Sequence, residues 1–235
     1  MNTLNKDLDN KQFITLVETA ALPYLEEGRF IHGFVRGKLL HDPVYRKILN
    51  MNILSSGGKV IDLGCGRGNL LALLTTKRQS NADTNGSLIF QGFELRKKDA
   101  RIARNALGIG ADIIHADLRS LVLPDCQIVF LIDVLMYMRK DEQKALLKEV
   151  VRVLKSNGVL IIREADADAG FPFWVTWVVE RLCALSRGHW RQRYGYRSQQ
   201  EWKRLLEQLG FIVESSPMSQ GTPFANILLI ARLSQ

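Results

Sequence analysis

The stretch that decides the fold is KVIDLGCGRGNL, Lys59 to Leu70. Its first half carries Val60, Ile61 and Leu63, an apolar run suited to a buried strand. Its second half packs Gly64, Gly66 and Gly68 into five residues before Asn69 and Leu70 open a helical pattern. Glycines at this density let the backbone turn sharply and approach a ligand within contact distance, because no β-carbon intervenes. Two known glycine loops do not match. The dinucleotide pattern GxGxxG needs glycine at position 69, where asparagine stands, and the phosphate-cradling P-loop needs a GK[ST] ending that is absent. What remains is DxGxGxG, with Asp62 ahead of the turn. A carboxylate there favours a cationic or hydrogen-bond-donating ligand over a pyrophosphate.

Outward from this loop, short apolar runs alternate with helical ones. Strands are predicted near Val60–Leu63, Leu88–Leu95, Asp112–Ala116, Ile128–Val134 and Val159–Glu164, with period-3.6 spacing between them, as in Leu146, Leu147, Val150, Val151 and Leu154. This alternation gives a parallel sheet with helices on both faces. Ser156–Gly158, reading SNG, is expected to end the last of these helices with Gly158 in a left-handed conformation. Ahead of the sheet, helices are predicted over about Lys11–Glu27 and Pro43–Leu54, joined by GRFIHGFVRGKLLHD. After it come the aromatic run FPFWVTWVVERLCAL, the basic loop SRGHWRQRYGYRS, a helix near Gln199–Leu209, and two apolar runs that read as an antiparallel pair at the sheet edge. The organisation expected is one domain over 1–235, with a helical cap at 1–54 and a core at 55–235 that carries an acceptor-site insertion at about 165–198.

Apolar runs are interrupted before the roughly 18 residues a spanning helix requires, and no basic start with an apolar core opens the chain. A cytoplasmic protein without a membrane span is expected. Cys65, Cys126 and Cys183 are odd in number and widely spaced, as in reduced thiols, and suit neither a disulfide frame nor a zinc or other metal site. The net charge of +8 leaves an anionic partner open.

The DxGxGxG loop is joined by IFQGFEL, ending in Glu94, and by IIHADL with Asp117. Together these resemble the class I S-adenosylmethionine-dependent methyltransferases. The resemblance implies a Rossmann-like α/β fold: a mostly parallel seven-stranded sheet with helices on both faces and an antiparallel C-terminal hairpin. It implies S-adenosylmethionine as cofactor, with Asp62, Gly64, Cys65, Gly66 and Gly68 at its amino-acid end. Glu94 would hold the ribose hydroxyls, Asp117 the adenine amine, and Leu95 and Leu118 the ring faces. Asp133, in IVFLIDVLMYM, would lie near the methionine part or the substrate.

Absent motifs narrow the acceptor. No [DN]PP[YF] follows the fourth strand, where DVLM stands, and no Pro-Cys pair occurs there, so nucleobase methylation by those routes and a nucleic-acid partner are not expected. Glu164 at a strand end and His189 in the basic loop are the candidates for removing an acceptor proton, His189 because an ordinary imidazole titrates at about 6.5. A solvated surface histidine is the alternative. Tyr137, Trp174 and Tyr194 are candidate substrate contacts; Phe173, Trp174 and Trp177 read either as a pocket wall or as a core-facing helix. The words GHWRQRYGYRS, EW, GF and PMSQGTPFANILL are similar to the small methyltransferases encoded with fatty-acid-synthase-like enzymes that make aryl polyenes. That resemblance implies a small hydroxyphenyl acceptor, free or tethered to an acyl carrier protein, with Arg187, Arg191, Arg193, Arg197, Lys203 and Arg204 as a docking face. An RNA methyltransferase using these arginines on phosphates, and a non-catalytic cofactor-binding scaffold, are the rival readings.

Overall fold

Runs of β-branched and large apolar residues make the strands, and the computed structural model arranges seven of them in one sheet of order β3-β2-β1-β4-β5-β7-β6. It describes residues 8–51, 57–80, 88–186 and 193–233, without the side chains of 183–186. The chain falls into two compact units, Met1–Leu118 and Arg119–Gln235.

The first unit opens with α1 (Asn10–Ala21), a 3-10 turn at Leu22–Leu25, α2 (Arg29–His41) and α3 (Pro43–Asn50). Asp9 caps α1 through Gln12 N, and Asp42 caps α3 through Val44 N ahead of Pro43. The single helix expected to Glu27 instead tightens at Pro23, which has no N–H to donate, and breaks at Gly28 with φ 107°. The segment read as a connector is α2, which buries Val35 and Leu39. Then follow β1 (Gly58–Leu63), α4 (Asn69–Ser80), β2 (Leu88–Glu94), α5 (Lys97–Leu107) and β3 (Asp112–His115). β1 pairs in parallel with β2, and β2 with β3, so that Glu94 lies opposite His115.

The second unit holds β4 (Cys126–Ile132), α6 (Lys140–Val153), β5 (Leu154–Ala165), α7 (Phe171–Ser186), α8 (Gln199–Gln208), β6 (Phe211–Pro217) and β7 (Asn226–Leu233). β4 and β5 are parallel; β7 runs antiparallel to both β5 and β6. α6 ends at Val153, before the turn expected to close it. Asn157, not Gly158, takes the left-handed conformation, with φ 63°. Gly158 serves close packing instead, since a Cβ there would stand 2.6 Å from Leu154 Cγ. Ser198 caps α8 in a reciprocal pair with Glu201, two donors satisfied at once. Among the described residues no helix is long and apolar enough to cross a membrane, and no group of side chains could hold a metal ion.

Candidate active site

In the first unit the end of β1 turns through Gly64, Gly66 and Gly68, all with positive φ (77°, 57° and 78°). The turn is tied down from β2. Gly64 N and Cys65 N both donate to Phe93 O, at 2.7 and 3.0 Å, and Glu94 Oε2 accepts from Gly66 N at 2.9 Å. Glu94 Oε1 accepts from Arg96 N at 2.7 Å, so the carboxylate bridges the glycine turn and the end of its own strand. From the helical region ahead of the sheet, the buried Tyr24 hydroxyl donates to Arg67 O at 2.7 Å. The glycines divide their work. A Cβ on Gly68 would stand 2.7 Å from Leu107 Cδ1, so this glycine lets α5 close in, whereas a Cβ on Gly66 would meet nothing within 4 Å. Gly66 therefore faces open space at the mouth of the loop.

Asp62 is buried, and its carboxyl is pushed up to about 7, first by burial and then by the Glu94 charge, with Lys38 acting against both. A buried acid held half-protonated beside an open glycine suits a cationic ligand group, which would restore its ionised form. Cys65 is also buried; burial and the Asp62 charge push its thiol well up, away from reactivity. Its sulfur fits because β2 has Gly92 opposite, where a Cβ would stand 2.8 Å from Sγ. Beyond the strand ends, Leu95 is exposed, with Asp117 and Leu118 partly exposed, and the His115 Nε2–Leu95 O contact (2.9 Å) fixes the neighbouring backbone. These are the positions expected to bracket an adenine.

The second unit assembles a different kind of site at the ends of β4 and β5. Asp133 has φ 58°, strained for a residue with a side chain, and is held there by Asp133 N donating to Arg163 O at 2.9 Å and by an ion pair with the buried Arg163 guanidinium. Next to Arg163, Glu164 is 1% exposed; its Oε1 accepts from both Val134 N (3.0 Å) and Leu135 N (2.6 Å). Burial, then the Asp133 charge, pushes Glu164 up to about 8, against the two amide donors. Among the described residues Oε2 takes no donor, so one oxygen of a strongly basic carboxylate is left over.

A buried glutamine binds the following segments together. Gln143 Nε2 donates to Leu135 O, Met138 O and Gly195 O, while its Oε1 accepts from Arg197 Nε at 2.7 Å. Gly195 N donates in turn to Met136 O, and a Cβ on Gly195 would stand 2.1 Å from Met138 O. This latch carries three tyrosines. Tyr137 and Tyr194 lie 5.7 Å apart, Tyr194 stacks on Tyr196 at 5.3 Å, and Phe173 meets Tyr196 edge-on at 5.0 Å. Tyr137 Oη donates to Glu180 Oε2 and Tyr194 Oη to Glu180 O, which ties both to α7. Tyr196 Oη is buried with no hydrogen-bond partner among the described residues, and burial raises its phenol, as do the Glu180, Tyr194 and Glu164 charges.

Other expected positions lie elsewhere. Trp174 is 57% exposed on α7, and Trp177 also faces outward, so the core-facing reading of that helix does not hold. His189, with Arg187, Trp190 and Arg191, lies outside the described residues. Arg197 is taken into packing: it bonds Gln143 and Lys140 O and lies 5.3 Å over the Trp202 ring. Lys203 stands 3.9 Å from Glu207; Arg193 and Arg204 are exposed. Gln143 and Gly195 were not signalled by the sequence, because each acts through partners many residues away.

Residues 61–162 match the family model described as a methyltransferase domain. In structure it is similar to the magnesium protoporphyrin IX methyltransferase of Synechocystis PCC 6803, bound to SAH (TM-score 0.58, 19% identity, 88% of each chain covered). It is also similar to the mitomycin 7-O-methyltransferase (TM-score 0.61, 22% identity, 94% of this chain and 66% of that one). A third likeness is to an O-methyltransferase family 2 protein from Planctomyces limnophilus DSM 3776 in complex with apigenin (TM-score 0.62, 15% identity, 92% and 62%). The chain spans less than two thirds of the length of these last two. At such identities the likeness carries the fold. No curated protein matches the chain in sequence.

Proposed function

We propose that this class I S-adenosylmethionine-dependent methyltransferase acts on a small aromatic hydroxy compound, a hydroxyphenyl group free or tethered to an acyl carrier protein, in a biosynthesis of the aryl polyene type. The observation that carries the acceptor reading is the aromatic cluster of Tyr137, Tyr194, Tyr196 and Phe173, in the unit that also holds the buried Glu164. Aromatic walls favour a flat acceptor, and the unpartnered Tyr196 hydroxyl offers it a polar contact. The apigenin-bound relative is a protein of this fold that holds a polyphenol.

The residues of the first unit fit the methyl donor. Asp62 would take its amino group, the open face of Gly66 would admit its amino-acid end, Glu94 would accept from the ribose hydroxyls, and Asp117, Leu95 and Leu118 would bracket the adenine. Bound there, S-adenosylmethionine supplies an electrophilic methyl group on a sulfonium. The protein's own contribution is alignment, exclusion of water and removal of a proton. Glu164 would do the last of these: its burial makes the ionised form a stronger base than an ordinary glutamate, and the Val134 and Leu135 amides hold one of its oxygens. Asp133 and the Arg163 guanidinium fix the loop that carries those amides. For a tethered acceptor, the exposed Arg204 would contribute to docking, whereas Arg197 is built into the latch.

Labelled methyl transfer tests this. With S-adenosylmethionine as donor, label is expected in 4-hydroxyphenyl acids or their thioesters. Label in bulk tRNA or rRNA, and in none of the phenolic compounds, would contradict the reading and favour the RNA enzyme.

A further inference from the structure

Helix α7 turns several large apolar side chains to solvent. An ordinary surface helix turns its apolar stripe inward and its polar side to water. Among Phe171–Leu182, the one fully buried residue is Thr176, whose Oγ1 bonds Pro172 O and accepts from Ala225 N. The other inward ties are an apolar one, Phe173 edge-on to Tyr196 at 5.0 Å, and two polar ones, the Tyr137 hydroxyl on the Glu180 carboxylate and the Tyr194 hydroxyl on Glu180 O. A second set of apolar side chains faces out. Phe171 is 73% exposed, Trp174 57%, Leu182 59%, and Trp177 39%. Phe171 and Trp174 stack on each other at 5.9 Å, and the Arg181 guanidinium lies 5.4 Å over the Trp177 ring. Large exposed apolar sets on soluble proteins mark a contact surface.

We infer that this outward face of α7 seats on an anionic phospholipid surface. Two features favour lipid over an apolar protein partner. Phenylalanine, tryptophan and arginine together match the boundary between acyl chains and headgroups, where rings sit in the apolar layer and guanidinium groups stay among phosphates. Charge agrees: in sequence, 171–198 holds five arginines, of which Arg197 is built into the latch and Arg187 and Arg191 lie outside the described residues, and a single acid, Glu180, whose carboxylate accepts from the Tyr137 hydroxyl. Of the acids just before the helix, Asp166 is engaged with Asp168 N and Gln199 N, and Asp168 is exposed in the turn. The helix would lie flat on the surface, since it is too short to span.

The test is sedimentation of the full chain with vesicles of phosphatidylcholine, with and without phosphatidylglycerol. The wild type is expected to pellet with the phosphatidylglycerol vesicles, less so as salt is raised. A Phe171→Ser, Trp174→Ser double variant is expected to lose at least about tenfold in partitioning. It should keep its melting temperature, because both side chains face solvent. Ile109→Ser, at another exposed apolar side chain in the first unit, should pellet like the wild type. Pelleting with neither vesicle overturns the inference, as does equal pelleting of the double variant. A wild type that is dimeric in solution and becomes monomeric in the double variant assigns the face to a second copy, and overturns it as well.

Discussion

The glycine turn of the first unit and the tyrosine latch of the second are both fixed loops at strand ends, but they are fixed by different means. The turn at Gly64–Gly68 is held chiefly by backbone, with positive φ at three glycines and two amides on Phe93 O, and is pinned by two side chains, the Glu94 carboxylate on Gly66 N and the Tyr24 hydroxyl on Arg67 O. Its neighbours in space are neighbours in a regular parallel sheet. The latch is held by side chains, with Gln143 on α6 reaching backbone oxygens of two separate segments and Arg197 reaching back to Gln143. A loop fixed by backbone geometry tolerates change at many positions and fails at its glycines. One fixed by a buried polar hub fails wherever the hub loses a partner.

The largest effect that would sharpen this contrast is at Gly195. In Gly195→Ala the new Cβ would stand 2.1 Å from Met138 O, so backbone must move; a loss of about 2–4 kcal/mol in stability is expected. Denaturant unfolding reads the loss. Acceptor turnover should collapse with it. A variant as stable as the wild type would break the idea that the two segments are clamped.

Next is Asp62. Because its carboxyl sits up at about 7 and a ligand ammonium favours the ionised form, affinity for S-adenosylhomocysteine is expected to rise from about pH 6 to about pH 8. Asp62→Asn should bind roughly tenfold or more weakly near pH 8, with that rise flattened. A wild type with flat affinity over this range would separate Asp62 from the ligand.

Glu164 comes third, and here the sign runs against stability. Its folded value, about 8, lies above the unfolded one, so the native state keeps a proton that the unfolded chain has lost, and the destabilisation grows from about pH 4.5 up to about pH 8. Glu164→Gln retains an oxygen for the Val134 and Leu135 amides. Its melting temperature should equal the wild type's near pH 4.5 and exceed it near pH 8, while turnover falls and the rising limb of the pH–rate profile near 8 disappears.

The smallest effects separate the tyrosines. Tyr194→Phe removes a hydroxyl that donates to Glu180 O and should cost about 1 kcal/mol of stability. Tyr196→Phe removes a buried hydroxyl without a described partner and should cost nothing, or stabilise slightly. Equal losses on denaturant unfolding would erase the distinction between them.

The sequence disclosed the parts of the molecule whose rules are local. The DxGxGxG spacing demands positive φ at fixed positions, and Glu94 and Asp117 follow at strand ends that the apolar runs locate. The terminal antiparallel strands were legible from their apolar runs and the Pro and Gly turn between them. The latch was not. Gln143 reads as one more polar residue on an amphipathic helix, and nothing at position 195 reveals that its α-carbon abuts Met138 O. Asp133 takes a left-handed conformation usually reserved for glycine, so no glycine marks the site. α7 was legible only in part: its aromatic content fits a pocket wall or a buried stripe, and only the structure shows that Phe173, Thr176 and Glu180 pack inward while Phe171 and Trp174 face out.

The central proposal is that the glycine turn of the first unit holds the methyl donor on its open side. Calorimetric titration of S-adenosylhomocysteine into the wild type, Gly66→Val and Glu164→Gln tests it most directly. The account predicts that the branched side chain at Gly66, where there is open space and φ is 57°, abolishes or severely weakens binding, while Glu164→Gln binds as the wild type does. Undiminished affinity in a folded Gly66→Val, or a loss confined to Glu164→Gln, would contradict it.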